Sequence, residues 1–160
     1  MNKTIIMLLA LGLGSASAAG SYVSSNAATK TATLIVNASE GTVNGGLNFN
    51  GVVKAAKSFT VPAGWNVVLK FKNLGAMGHS AAVVKGTAPA LSVTPKDVAF
   101  AGAATSKLNE GLGTNQGQSV KFKAGKAGSY LIVCGAPGHG LAGQYLGLKV
   151  VAGAKTASYQ

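Results

Sequence analysis

Short apolar runs separated by turn residues dominate the hydrophobic pattern of this 160-residue chain. Between Trp65 and Phe71, apolar or aromatic residues at every second position alternate with Asn66, Val68 and Lys70. A period of two places one set of side chains on a single face, which predicts a half-buried β-strand. Comparable apolar runs predict further strands at residues 31–36, 47–53, 58–61, 79–84, 119–123, 128–134 and 145–151.

About eight short strands with turn signals between them predict an all-β sandwich of two sheets. The 23 glycines and the lack of a long helix-forming run agree with this fold class. The runs at 119–123 and 128–134 resemble a strand pair joined by a turn at 124–127. The stretch 85–118 is unusually long for a loop and only weakly periodic. We expect it to hold a short helix near 106–111 or to cross the sandwich edge as an extended segment.

The start of the chain has the features of an export signal. Lys3 precedes the apolar stretch 5–13, which is too short to span a membrane, and residues 16–18 form an A-x-A cleavage motif. We therefore predict a signal peptide at 1–18, a flexible leader at 19–30, the folded domain at 31–153 and a C-terminal tail at 154–160. This organisation places the domain in the periplasm or at the extracytoplasmic membrane face. An uncleaved, weak membrane anchor with peripheral association is the alternative.

The charge of the chain is strongly one-sided. Fourteen lysines, no arginine and three carboxylates give a formal net charge of +11. The lysines are scattered along the sequence, and arginine is missing for bidentate contacts to phosphate or guanine, so we do not expect nucleic-acid binding. The basic balance favours a protein partner with an acidic surface.

The residues best suited to metal chemistry cluster near the C-terminal end. Cys134, the only cysteine, His139 and Gln144 share one glycine-rich loop with the spacing C-x4-H-x4-Q, directly after an apolar run. The only other histidine, His79, belongs to another predicted strand. One thiolate, two imidazoles and a weak axial donor are the ligand set of a mononuclear blue-copper site.

Two neighbours of His79 are further candidate ligands. Gly78 has no side chain, so its carbonyl could approach the metal on the opposite axial side. Met77 lies two residues before His79 and could compete with Gln144 as the axial donor.

Other kinds of site fit the residue counts less well. Structural zinc sites use C-x2-C pairs, and a binuclear copper centre needs two cysteines. Cys–His nucleophilic catalysis lacks an evident orienting carboxylate or amide, and a multicopper oxidase needs more histidines. We therefore do not expect an enzyme.

At these residues the chain resembles the cupredoxins, and within them the sulfocyanin and rusticyanin group. The resemblance covers the whole mature domain, through 47–51, 61–67, Gly78-His79-Ser80, 128–134, 137–139 and Gly143. It implies a Greek-key β-sandwich with one type 1 copper and one-electron transfer in respiratory chains. His79, Cys134 and His139 match the family ligands. Position 144 departs, because these families have Met there, whereas stellacyanin-like phytocyanins use Gln.

Together these features predict an exported electron carrier, with copper storage or delivery as the alternative function. Electrons are expected to pass through His139. An apolar patch around it would dock a redox partner, such as a cytochrome or terminal oxidase with an acidic surface. This docking patch comprises Ala136, Pro137, Leu141 and Ala142. We expect the protein to be a monomer.

Overall fold

The computed structural model describes residues 21–160, so the predicted signal peptide lies outside the described part of the chain. Nine strands form two sheets there. The strands are β1 (Val23–Asn26), β2 (Thr31–Ala38), β3 (Ser58–Pro62), β4 (Asn66–Asn73), β5 (Ala82–Lys85), β6 (Gly117–Lys123), β7 (Gly128–Val133), β8 (Tyr145–Val151) and β9 (Ser158–Tyr159). The sheets have the orders β1-β2-β4-β6 and β5-β7-β8-β3-β9. The predicted all-β sandwich is confirmed.

The chain passes repeatedly from one sheet to the other, so strands that follow each other in sequence are often not hydrogen-bonded neighbours. β2 pairs with β4 in parallel, and β3 pairs with β8 in parallel, whereas the remaining pairs are antiparallel. This pattern brings the ends of β2 and β7 and the starts of β5 and β8 to one end of the sandwich, which carries the candidate ligands.

The core follows from the alternation read in the sequence. Along β2 and β4 every second side chain is buried, and Leu34, Leu69 and Phe71 are at most 3% exposed. Leu146 and Leu148 of β8 belong to the same buried cluster, which fills the space between the sheets. Removing this apolar surface from water is the main driving force for forming the sandwich.

Two predicted strands differ from the structure. Residues 47–53 form a loop, because the backbone reverses at Asn50 and Gly51, which both have positive φ, and Phe49 forms a bridge with Val52. The strand predicted at 79–84 begins only at Ala82, while His79 makes a single isolated bridge with Leu112.

The predicted pairing of 119–123 with 128–134 is wrong. Both strands exist, as β6 and β7, but β6 pairs with β4 in one sheet and β7 pairs with β5 and β8 in the other. The turn between them therefore crosses the sandwich. Gly64 donates a hydrogen bond to the Ala124 carbonyl at this crossing.

The long segment predicted at 85–118 crosses the sandwich edge as an extended chain and does not form the helix expected near 106–111. Val98 and Ala104 form bridges to β5, and the segment's single short 3-10 turn is at Pro95–Asp97, away from 106–111. Its Val93 packs in a second apolar cluster on the outer side of β5 and β7, with Leu131 and Val133. The segment thus covers the outer face of the five-stranded sheet over these two strands.

Both ends of the described chain add a strand that the sequence pattern did not predict. β1 lies in the range predicted as a flexible leader, and β9 lies in the range predicted as a tail. Tyr22 and Tyr159 meet edge to face with ring centroids 5.2 Å apart, which joins the two ends. Within residues 21–160, none of the helical segments has the length and apolar character needed to cross a membrane.

Candidate metal centre

Three candidate ligands converge at the end of the sandwich. The donor atoms of His79, Cys134 and His139 all lie within 4.8 Å of one another. Cys134 Sγ is 3.9 Å from His79 Nδ1 and 3.6 Å from His139 Nδ1. Each imidazole therefore presents its Nδ1 to the thiol. A soft thiolate and two imidazoles suit a transition metal.

The loop that carries Cys134, His139 and Gln144 is closed by its own backbone. Cys134 N donates to the Gln144 carbonyl at 3.1 Å, and Gln144 N donates to the His139 carbonyl at 3.0 Å. The first pair extends the β7–β8 ladder by one step, so the sheet holds the two ends of the loop. His139 is thereby brought back over Cys134 within six residues.

His79 is held by a close backbone approach from the long segment. His79 N donates to the Leu112 carbonyl and Leu112 N donates back to the His79 carbonyl, at 3.2 and 2.7 Å. A Cβ on Gly78 would collide with the Glu110 carbonyl, and one on Gly111 would collide with the backbone at 78–79. Gly78 is thus needed for this packing, independently of any ligand role for its carbonyl.

The Cys134 thiol is buried and partly compensated by hydrogen bonds. Burial raises the pKa of Cys134, and the N–H of Ser80, which lies 3.5 Å from Sγ, acts in the opposite direction. Ser80 Oγ accepts from Gly135 N and donates to the Leu108 carbonyl. Ser80 thus fixes the thiol relative to both the ligand loop and the long segment.

Ser39, which the sequence reading did not single out, orients His79. Ser39 Oγ donates to the Gly46 carbonyl at 2.7 Å, so it is available to accept from His79 Nε2, 2.9 Å away. This hydrogen bond favours the tautomer that leaves Nδ1 free to bind a metal. Burial, and then the charge of His139, lowers the pKa of His79 to about 4, which also keeps the ring neutral.

Loss of the Ser39 hydroxyl is expected to weaken metal binding about tenfold, because His79 loses the group that sets its tautomer and ring orientation. Ser39 has a φ of 57°, so alanine keeps the backbone strain of the native serine, whereas glycine relieves it. Comparing Ser39→Ala with Ser39→Gly separates the hydroxyl from the strain. Competition titration with a copper chelator should show weaker binding in both variants. Binding by Ser39→Gly as tight as that of the unaltered protein would contradict this role.

Gln144 is fully buried next to the two candidate histidine ligands. Its Nε2 donates to the Asn48 carbonyl at 3.0 Å, and since a carbonyl can only accept, Oε1 must face the other way. The side chain is fully buried, yet Oε1 has no hydrogen-bond partner among the described residues. Burial lowers the pKa of both His79 and His139, and the Gln144 carboxamide acts in the opposite direction on both, so it lies close to the two rings. A buried, unpaired oxygen at this position fits a cation next to the ligands.

The predicted docking patch needs one correction. Pro137, Leu141 and Ala142 are exposed around the half-buried His139, but Ala136 is only 5% exposed and packs in the main core. Leu91, which the sequence reading missed, is 63% exposed and adjoins the ligand loop, because its carbonyl accepts from Gly138 N. The apolar surface around His139 therefore includes a residue from the long segment in place of Ala136.

A β-sandwich with one cysteine and two histidines gathered at one end defines the cupredoxin class of proteins. The family model described as "Sulfocyanin (SoxE) domain" matches residues 16–160, so the chain belongs to the sulfocyanin family. The sulfocyanin of Sulfolobus acidocaldarius is 33% identical over 132 residues. The match covers 78% of this chain and 64% of that relative.

Solved structures confirm the fold. The dithionite-reduced auracyanin of Roseiflexus castenholzii is 23% identical, with a TM-score of 0.54, and the match covers 74% of this chain and 96% of auracyanin. A histidine-to-methionine variant of rusticyanin is 21% identical, with a TM-score of 0.56, and the match covers 76% of this chain and 78% of rusticyanin.

The family and the donor set together identify the metal. His79, Cys134 and His139 are the ligand set for one type 1 copper ion. The residues fit this ion on two counts, since the thiol and both imidazole Nδ1 atoms converge and the Gln144 oxygen has no hydrogen-bond partner within residues 21–160.

Proposed function

We propose that this protein is an exported one-electron carrier that serves a respiratory chain through its type 1 copper site. The single observation that carries the proposal is the convergence of His79, Cys134 and His139 in an already ordered site. Bound copper supplies one-electron chemistry by cycling between Cu(I) and Cu(II). The family membership supports this assignment.

Backbone and side-chain groups around the site limit how far it can rearrange. Ser39 holds His79, Ser80 holds Cys134 and Asn48 holds Gln144, each through a hydrogen bond to a group in a different segment. A site whose ligands are locked by packing and hydrogen bonds keeps its geometry. Such a site suits a carrier, because each electron transfer then requires little movement of the ligands.

The proposal includes Gln144 as the axial ligand through Oε1. Support comes from its orientation toward the site and from the absence of another partner for this oxygen in the described chain. Met77 is a poorer candidate, because its side chain is 45% exposed. The carbonyl of Gly78 remains a proposed weak ligand on the opposite side.

Electrons would enter and leave through His139, the only one of the three ligands that is not buried. Pro137, Leu141 and Ala142, together with Leu91, provide an apolar surface around it. A redox protein with an acidic surface, such as a cytochrome or terminal oxidase, would complement the net charge of +11. The charge would steer the encounter and the apolar surface would form the contact.

Export rests on the basic residue, apolar stretch and A-x-A motif at the start of the sequence. It would place the copper site in the periplasm or at the extracytoplasmic membrane face, where respiratory carriers operate.

Reversible redox cycling of the copper-loaded protein tests the proposed function. We expect repeated chemical reduction and reoxidation to bleach and restore the blue colour without loss of copper, because the ligands are fixed before the metal binds. Copper content should be measured after each cycle in the presence of a Cu(I) chelator. Transfer of the metal to the chelator on reduction would contradict electron carriage and would indicate copper delivery.

A further inference from the structure

Four lysines that are far apart in sequence share the outer face of the four-stranded sheet. Lys70 and Lys72 alternate with buried residues along β4, and Lys121 and Lys123 do the same along β6. All four side chains are exposed. Because alternate residues of a strand share a face, the four ammonium groups point away from the core on the same side.

The pairing register spreads these lysines evenly. Across β4 and β6, Lys70 lies opposite Ser119, Lys72 opposite Gly117, Lys121 opposite Val68 and Lys123 opposite Asn66. Each of four successive rows thus holds one lysine, and no lysine faces another directly. Neighbouring rows are separated by two residues along the strands, which is about 7 Å. The four rows of lysines therefore extend over about 20 Å. We call these four residues the lysine face.

No carboxylate belongs to the strands of this sheet. The three acidic residues of the chain are Glu40, Asp97 and Glu110, and all lie outside β1, β2, β4 and β6. Beside the lysines, Ile35 and Val68 are only half-buried. The long segment also contacts β6, where Phe100 stacks on Phe122 and Ser106 N donates to Gln118 Oε1, but it leaves the four lysines exposed.

The position of the lysine face argues against a redox protein as its partner. Only the Lys72 end adjoins the ligand end, where the Asn73 side chain donates to the Leu112 carbonyl. The other three rows run away from it. A partner centred on the face would lie beside the sandwich and away from His139, which is a poor position for electron transfer.

The charge of this face and the spacing of its lysines point to a membrane surface. One lysine stands in each of four rows, and the strands of the sheet carry no carboxylate. A sheet face with regularly spaced lysines and few apolar side chains can lie flat on anionic lipid headgroups, where each lysine strengthens binding by roughly fivefold. We propose that the lysine face docks on an anionic membrane surface, which leaves the apolar surface around His139 free for redox partners.

Co-sedimentation of the full chain with lipid vesicles tests this docking. Phosphatidylcholine vesicles with and without phosphatidylglycerol measure the part of the binding that depends on anionic headgroups. The test variant replaces Lys70, Lys72, Lys121 and Lys123 by glutamine. A matched control replaces Lys85, Lys96, Lys149 and Lys155, which are also exposed and lie outside the four-stranded sheet. Both variants lose the same charge and keep the same N-terminal segment.

We expect anionic vesicles to bind the unaltered protein in a salt-sensitive manner. The lysine-face variant should lose roughly tenfold or more of this affinity, and the control variant much less, because only the former changes the contact surface. Equal losses in both variants would show that net charge alone attracts the protein and would overturn the proposal. A different pair of results would assign the face to an acidic protein instead. In that case neither variant would change vesicle binding, and the lysine-face variant would lose binding to immobilised polyglutamate. The assay does not require copper, so it is independent of the proposed electron transfer.

Discussion

Cys134→Ala is expected to abolish the intense blue colour of the copper-loaded protein. The colour of a type 1 site arises from charge transfer between a thiolate and Cu(II), and Cys134 is the only source of a thiolate in the chain. Copper bound by His79 and His139 alone would be pale and weakly held. Visible absorption and electron paramagnetic resonance spectra of protein loaded with one equivalent of Cu(II) provide the measurement.

Two controls make the Cys134 result specific. Cys134→Ser keeps nearly the same size but offers a harder oxygen, so it should also lose the blue colour. Thermal unfolding of the copper-free variants should remain cooperative, since Cys134 is a small residue within a core built chiefly from Leu, Val and Phe side chains. An intense blue band in folded Cys134→Ala protein would rule out a type 1 site at this position.

Gln144→Met is expected to raise the reduction potential by about 60 mV or more, which is a tenfold shift in the equilibrium of a one-electron couple. The amide oxygen of Gln144 is a harder donor than a thioether, so it favours Cu(II) over Cu(I). The structure supports this effect because Asn48 holds the amide with its oxygen toward the ligands. Redox titration of both proteins under identical conditions measures the shift.

Further substitutions separate the axial donor from general packing changes. Gln144→Leu removes the donor altogether and should give a potential at least as high as that of Gln144→Met. Met77→Leu changes an exposed methionine and should leave the potential unchanged. A potential of the unaltered protein equal to or above that of Gln144→Met would refute axial coordination by Gln144.

Local sequence patterns predicted those strands whose own residues alternate between apolar and polar or form an apolar run. Apolar and polar residues alternate along β4, and β8 is a mainly apolar run between turns. Both strands are found close to their predicted positions. The loop at 47–53 contains equally apolar residues, but positive φ at Asn50 and Gly51 reverses the chain. β1 and β9 escaped prediction because they are short and polar and are stabilised by contacts between the two chain ends.

Pairing and orientation depend on contacts between distant residues, which a local pattern does not contain. β6 and β7 follow each other closely, yet the turn between them crosses from one sheet to the other. The metal-binding donors could be predicted because Cys134 and the two histidines are the only residues of their kinds. The residues that orient them could not, since Ser39 lies 40 positions from His79 and Asn48 lies 96 from Gln144.

The hydrogen bond between Cys134 N and the Gln144 carbonyl has a consequence for how the metal is exchanged. This bond continues the β7–β8 ladder, so Cys134 and Gln144 at the two ends of the loop separate only when this last rung opens. Exchange of copper would then proceed through a local unfolding event at the strand ends. The residence time of the ion would follow the protection of these amides against hydrogen exchange, so opening of the β7–β8 ladder at its last rung would govern metal retention.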